Sequence, residues 1–114
     1  MLGRLERIMR IAVALLLVCS TAQAEFYSGN DLLAKMESDH IVDRSMALGY
    51  VVGVSDTGDG VTHCPPANIT TGQVRDLVKG HLTRNPGSRH FSADSLITNL
   101  LRTTWPCKPT GRGI

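Results

Sequence analysis

Apolar residues recur at helical intervals in the second half of the chain. After Thr70 the first is Val74, and others follow it three, four and eight positions later: Leu77, Val78 and Leu82. Thr70 and Gln73 have the Ser/Thr-x-x-Glu/Gln spacing of a capping box, and residues 85–87 (Asn-Pro-Gly) are typical of a helix end. The pattern therefore predicts a helix that begins after Thr70 and buries one stripe against a core.

A second apolar stripe follows Ser92, which stands where an N-cap residue is expected. Its members lie three, four, seven and eight positions after the first: Ala93, Leu96, Ile97, Leu100 and Leu101. Trp105 precedes a proline, and a residue in that position avoids helical geometry. This pattern predicts a helix that begins after Ser92 and ends near Trp105.

The first half of the chain gives weaker signals. Ser28 or Asn30 can cap a short helix that carries three apolar residues: Leu32, Leu33 and Met36. Residues 46–54 favour a buried strand by their valines and tyrosine, whereas the lack of alternation and the four-residue spacing of Gly49 and Gly53 favour a helix. This spacing of bare positions is interpreted as close helix packing in the core rather than a dimer contact. Residues 55–68, rich in Gly, Pro and Asp, are predicted to form a long loop.

The N-terminus has the organisation of a secretory signal. Three arginines within the first ten residues precede an apolar run at residues 11–19, about half the roughly 20 residues that a membrane span needs. Ala22 and Ala24 occupy the positions that a signal peptidase reads, so cleavage is predicted after Ala24. Cys19 leaves with the signal, and a mature domain of residues 25–114 remains.

Composition and charge limit what this domain can be. The chain has 114 residues, of which 42% are hydrophobic and 19% charged, a balance that fits one small globular domain and excludes a disordered chain. The net charge of +2 belongs to the signal, because the mature domain has equal numbers of basic and acidic residues. Neither nucleic acid nor a membrane surface is therefore expected as a partner once the signal is removed.

Two cysteines remain in the mature domain, Cys64 and Cys107. An even pair in an oxidising compartment is expected to form one disulfide, which by the chain-entropy estimate stabilises the fold by about 4 kcal/mol. A catalytic cysteine is disfavoured, because the second cysteine would consume the nucleophile. A zinc site of His63, Cys64, His81 and His90 matches no ligand spacing, so the histidines are interpreted as surface and loop residues and no cofactor is expected.

Asp56-Thr57-Gly58 has the sequence of the triplet that aspartic proteases use. Their chemistry needs two such loops, each following a strand, so that two carboxylates share a proton. The clear periodic segments of this chain are helical, which disfavours the enzyme. Asp56 and Asp59 also lack the further acidic ligands of a calcium loop, and a turn rich in Asp and Gly explains them better.

The ordered set of motifs resembles the Rap/Tai family of small periplasmic immunity proteins linked to type VI secretion. The motifs run from Phe26 to Cys107: Gly29-Asn30-x-Leu32-Leu33, Gly49-Tyr50-Val51-x-Gly53-Val54-x-Asp56, Cys64-Pro65-Pro66, Ile69-Thr70-x-Gly72-Gln73, Asn85-Pro86, His90, Ala93 and Trp105-Pro106-Cys107. The resemblance implies an all-α domain of four to five helices, often dimeric, that binds and blocks an effector, in the best-known cases a peptidoglycan amidase. It also implies that residues 46–54 are helical. The second cysteine pair common in such proteins is replaced here by Met36 and by Met46 or Ala47.

The resulting hypothesis is a non-enzymatic periplasmic inhibitor whose partner is a cognate effector protein. Because inhibitors of this type present loops to a cleft, residues 55–68 and 84–90 are the predicted contact regions. The candidate partner-binding residues are Asp56, Asp59, Arg84, Arg89 and His90. The alternative is an acid-stress chaperone of the HdeA kind, but such chaperones have their cysteines on either side of the Gly-Tyr helix, and here Cys107 lies at the opposite end.

Overall fold

The structure is a computed structural model that describes residues 2–20 and 26–109. Its helices are α1 (Leu2–Ser20), α2 (Gly29–Glu37), α3 (Ile41–Gly58), α4 (Thr71–Arg84) and α5 (Ala93–Thr104), with a 3-10 turn at Pro86–Ser88. No strand longer than an isolated bridge occurs in the described part of the chain, which confirms the all-α prediction.

Two helices begin with capping boxes. The Ser28 hydroxyl accepts from the backbone N–H of Asp31, and the Asp31 carboxylate accepts from that of Ser28, both at 3.1 Å. Thr70 and Gln73 make the equivalent pair at the start of α4, at 3.1 and 2.8 Å. Each pair satisfies two backbone groups around the helix start. The prediction for Thr70 is confirmed, and of the two candidates for α2 the cap is Ser28.

Ser92 occupies the predicted N-cap position of α5 without making a side-chain cap hydrogen bond. Its hydroxyl donates instead to the carboxylate of Asp94, which also accepts from the backbone N–H of Ser95 at 2.8 Å. At the other end of the helix the backbone N–H of Trp105 donates to Leu101, and α5 ends at Thr104 as predicted. Asp94 itself lies in the first turn of α5, where the helix dipole favours its negative charge.

Residues 46–54, for which the pattern left strand and helix as alternatives, are part of α3, which extends over 18 residues. The prediction of a loop from residue 55 is wrong for residues 55–58, because the helix continues through Gly58. The Thr57 hydroxyl donates to the carbonyl of Gly53 at 2.7 Å, so this side chain makes its hydrogen bond within the helix. The chain turns only after Asp59, at Gly60, whose φ of +76° suits a residue without a Cβ.

The core lies among α2, α3, α4 and α5, and each of these helices packs against the other three. It is built from the stripes that the sequence predicts for α4 and α5 together with the inner sides of α2 and α3. The buried residues are Leu32, Leu33, Met36, Ala47, Val51, Val74, Val78, Leu82, Ala93, Ile97 and Leu101. Such apolar burial is the main favourable contribution to folding.

A disulfide joins Cys64 to Cys107 and confirms the predicted pair. It connects the segment after α3 to the segment after α5, across 43 residues of sequence. Beside it the backbone N–H of Cys64 donates to the carbonyl of Trp105 at 2.8 Å. The last turn of α5 is therefore fixed to the loop that follows α3.

The predicted signal corresponds to α1 and the residues after it. The cleavage site after Ala24 lies outside the described residues, so processing stays a prediction. Of the helices that the structure describes, none is both long enough and apolar enough to cross a bilayer.

Candidate functional site

Gly49 and Gly53 lie on the exposed side of α3, and the prediction that they pack in the core is wrong. A Cβ added at either position would meet no atom within 4 Å. Two other glycines differ: a Cβ on Gly29 would lie 2.9 Å from the backbone oxygen of Arg89, and one on Gly58 would collide with Thr62. The core side of α3 is formed by Ala47 and Val51 instead.

The exposed glycines lie in a groove between α3 and α5 of about 550 Å³. This glycine groove is lined by Gly49, Tyr50, Gly53, Val54, Thr57, Gly58, Thr62, His63, Asp94, Thr98 and Leu101. Its volume falls within the range of roughly 300–1,000 Å³ that is common for binding clefts. The groove is therefore large enough to receive several side chains of a partner.

His63 lies in the wall of this groove and is only 1% exposed, so its interpretation as a surface histidine is wrong. Its Nδ1 lies 3.3 Å from the hydroxyl of Thr62, whereas its Nε2 is buried without a hydrogen-bond partner. A buried polar atom left unpaired costs about 1–3 kcal/mol. His63 is therefore a polar group that the fold itself satisfies only in part.

Tyr50 and Asp94 both line the glycine groove. The Tyr50 ring packs on Tyr27 with the ring centres 5.1 Å apart, and Lys35 Nζ lies 5.4 Å from the centre of the Tyr27 ring. Burial, and then the negative charge of Asp94, raises the pKa of Tyr50. The phenol, which is neutral at physiological pH even without this shift, can donate a hydrogen bond.

Two of the predicted partner-binding residues, Asp56 and Asp59, line a second groove of about 330 Å³. This acidic groove lies between the last turns of α3 and the first turn of α4, with Pro65 and Pro66 on its rim. Both aspartates are exposed, and neither forms an ion pair among the described residues. Their carboxylates are thus available to a positively charged partner.

The other three predicted residues lie near the opposite end of α4. The 14 residues of that helix span about 20 Å, so Arg84 and the acidic groove are separated by the length of α4. Arg84 is exposed, and the exposed His90 packs on Phe91 with the ring centres 4.1 Å apart. The structure therefore does not bring the five residues into one cluster.

Arg89 has a structural position. Its carbonyl accepts from the backbone N–H of Asn30 at 2.8 Å, and its Nε is buried without a partner. The hydrogen bond from Asn30 holds the turn before α5 against the start of α2. Substitutions of Arg89 are therefore expected to disturb packing as well as charge.

The geometry does not support the aspartic protease or the catalytic cysteine. Asp56, Thr57 and Gly58 form the end of a helix, not a loop after a strand, so the aspartic protease interpretation fails. Cys64 is bonded to Cys107 and offers no thiolate. Within residues 2–20 and 26–109, no group of three or more His, Cys, Asp or Glu side chains is arranged to hold a metal ion.

Comparison with known families agrees with this architecture. The sequence profile of the Rap1a immunity proteins matches residues 28–107, from the cap of α2 to the second cysteine of the disulfide. The chain belongs to this family. The match supports an immunity function and does not favour the acid-stress chaperone. No curated protein matches the chain closely enough to count as a relative.

Proposed function

We propose that this chain is exported to the periplasm, where it binds a type VI secretion effector and blocks its active site without turnover. The observation that carries the proposal is the family match over residues 28–107, which spans the four-helix core and the disulfide. The disulfide supports an oxidising compartment. The effector class that the resemblance implies is a peptidoglycan amidase.

Protection by occlusion sets a requirement on affinity. An inhibitor that works by mass action must hold the effector at cellular concentrations, which calls for nanomolar binding, or about −12 kcal/mol. A few buried anchor residues usually supply most of such an energy. Two clefts of the described surface that can receive anchors from a partner are the glycine groove and the acidic groove.

We place the predicted contacts Asp56 and Asp59 in this interface, because both are exposed in one cleft. Arg84 and His90 can join the same interface only if the effector covers the length of α4. A homodimer, which the resemblance also implies, is compatible with this arrangement if its contact leaves these clefts accessible.

The test is protection of a growing cell. Peptidoglycan amidase effectors, beginning with any encoded beside the gene, are directed to the periplasm with and without this chain. The full-length chain is expected to restore growth. A chain without residues 1–24 is expected to fail, because it stays in the cytoplasm while the effector acts in the periplasm. Absence of protection against every such amidase would contradict the proposed effector class.

Charge reversal locates the contacts. Asp56→Lys with Asp59→Lys, or Arg84→Glu, is expected to weaken protection while the helical circular dichroism stays unchanged. Asp39→Lys is the matched control, since Asp39 is exposed in the turn between α2 and α3, lines neither groove and forms no ion pair among the described residues. Full protection by both reversals would remove these residues from the interface.

A further inference from the structure

The two glycines of the glycine groove have no explanation inside the chain. Glycine in a helix interior is disfavoured relative to alanine, and both Gly49 and Gly53 lie well within α3. Nothing lies within 4 Å of the position that a Cβ would take at either residue. The fold alone would therefore tolerate, and prefer, alanine. A bare helix surface allows the backbone of another chain to approach more closely than any side chain would permit.

An independent observation at the same groove indicates a ligand. His63 Nε2 is buried and unpaired, and this side chain contributes to the wall of the groove. Because this nitrogen is out of contact with solvent, a partner's hydrogen-bonding group would reach it only if the imidazole turned toward the groove. The groove thus combines a helix surface without side chains, at Gly49 and Gly53, with a buried nitrogen of His63 that lacks a hydrogen-bond partner.

The charge of the groove limits the chemistry of its occupant. Among the residues that line it, Asp94 is the one carboxylate, and it remains accessible although its oxygens accept from Ser92 and Ser95. No positively charged side chain pairs with Asp94 in the described part of the chain. A lysine or arginine of a partner would complement it in an otherwise mainly apolar cleft.

We infer that the glycine groove receives a segment of the effector that packs its backbone on Gly49 and Gly53 and brings a positively charged side chain to Asp94. The inference rests on the proposed immunity function and names the surface that performs it. It places the contact on a helix face and not only in the loops that the sequence indicates.

A second copy of the chain is the competing occupant. The large apolar residues that α3 exposes beside the groove are Val42 and Met46, which are 66% and 49% exposed. They would fill a glycine surface on another copy, but they carry no positive charge for Asp94. The charge of the groove therefore favours the effector, and the oligomeric state becomes an outcome of the test.

The experiment is titration calorimetry with the amidase against which the wild-type chain protects. Gly49→Ala with Gly53→Ala is expected to weaken binding by roughly tenfold or more, since added methyl groups overpack a close contact. Asp94→Asn is expected to weaken binding several-fold and to reduce its dependence on salt. His63→Phe removes the unpaired nitrogen and is expected to weaken binding as well.

Two controls separate binding from folding. Gly80→Ala changes a helical glycine on α4, outside the groove, where the nearest atoms belong to the flexible end of Arg84. It should weaken binding no more than Arg84→Ala does, since the added methyl group displaces only the guanidinium of Arg84. The unfolding temperature of the Gly49/Gly53 variant should rise or stay equal, which shows that weaker binding does not come from a damaged fold.

The outcomes are distinct. Unchanged affinity of the Gly49/Gly53 and Asp94 variants would overturn the groove assignment while the immunity function stands. Loss of a dimer in analytical ultracentrifugation, with the affinity per subunit preserved, would assign the groove to a second copy and also overturn it. Failure of the wild-type chain to bind any amidase would contradict the proposed function itself.

Discussion

The two faces of α3 carry small residues for different reasons. Ala47 and Val51 face the core and are fully buried, so their size is set by the helices that pack on them. Gly49 and Gly53 lie on the opposite, open face, where a Cβ at either position would meet no atom within 4 Å. A small residue in a helix is therefore explained by the fold only when its neighbours are known. Where no neighbour within the chain requires a small residue, the requirement must come from a binding partner.

The largest expected effect comes from the disulfide, which fixes the loop next to His63 to the end of α5. Cys64→Ala with Cys107→Ala is expected to lower the free energy of unfolding by about 4 kcal/mol, because the open chain regains loop entropy. Because Cys64 directly follows His63, which lines the glycine groove, this groove should loosen before the core face of α3 does. Urea denaturation gives the energy, and amide hydrogen exchange gives the order; equal stability of variant and wild type would contradict the prediction.

Adding volume to the core face of α3 tests the other side of the comparison. Ala47→Leu is expected to destabilise the protein by roughly 1–3 kcal/mol, since the added carbons must displace packed neighbours. On the open face, Gly49→Ala and Gly53→Ala are each expected to stabilise it by about 0.5–1 kcal/mol. Thermal unfolding measures both. Changes of the same sign on the two faces would remove the distinction between them.

The helix caps provide a reference that does not depend on either face. Ser28→Ala and Thr70→Ala each remove a side chain that accepts a backbone N–H, with an expected loss of about 1 kcal/mol. Ser92→Ala should have a smaller effect, because Ser92 makes no such bond. Denaturation midpoints check the order, and an equal loss at Ser92 would contradict the assigned caps.

The smallest expected effect is a pH dependence at the corner between α2 and α3. The hydrogen bond that Ser38 donates at 2.7 Å, assisted by the charge of Lys35 and opposed by burial, lowers the pKa of Asp43 below its ordinary 3.8. A lowered carboxyl pKa stabilises the fold above the unfolded-state value, and this contribution disappears as the pH falls through the folded-state value.

Asp43→Asn is therefore expected to be slightly less stable than wild type at pH 7, with a difference that shrinks below about pH 4. Ser38→Ala removes the same bond from the donor side and should show the same trend. Melting temperatures measured across pH 2–7 decide this, and a difference that grows at acid pH would reverse the assigned sign.

Local patterns in the sequence predict part of this structure. The cap of α4 is predicted because Thr70 and Gln73 have the three-residue spacing of a capping box, and the stripes of α4 and α5 because their spacing is helical. For α2 the sequence leaves Ser28 and Asn30 as alternatives. The disulfide is predicted because two of the three cysteines lie after the predicted signal. The resemblance adds the helical state of residues 46–54.

The open face of α3 could not be predicted in this way. Apolar residues surround that helix on all sides, so no stripe indicates which side meets the core. The burial of His63 is set by the neighbouring disulfide and by Gly58, which leaves room for the imidazole. Such loop contacts depend on tertiary structure. The separation of Arg84 from Asp56 likewise depends on the direction of α4.

The most direct test of the account is growth protection by the Gly49→Ala/Gly53→Ala variant, in cells that direct the matching amidase to the periplasm. The expected result is that this variant protects much less than wild type and than Gly80→Ala, although it accumulates to the same level and unfolds at an equal or higher temperature. Full protection by the Gly49/Gly53 variant would contradict the claim that the open face of α3 serves the partner.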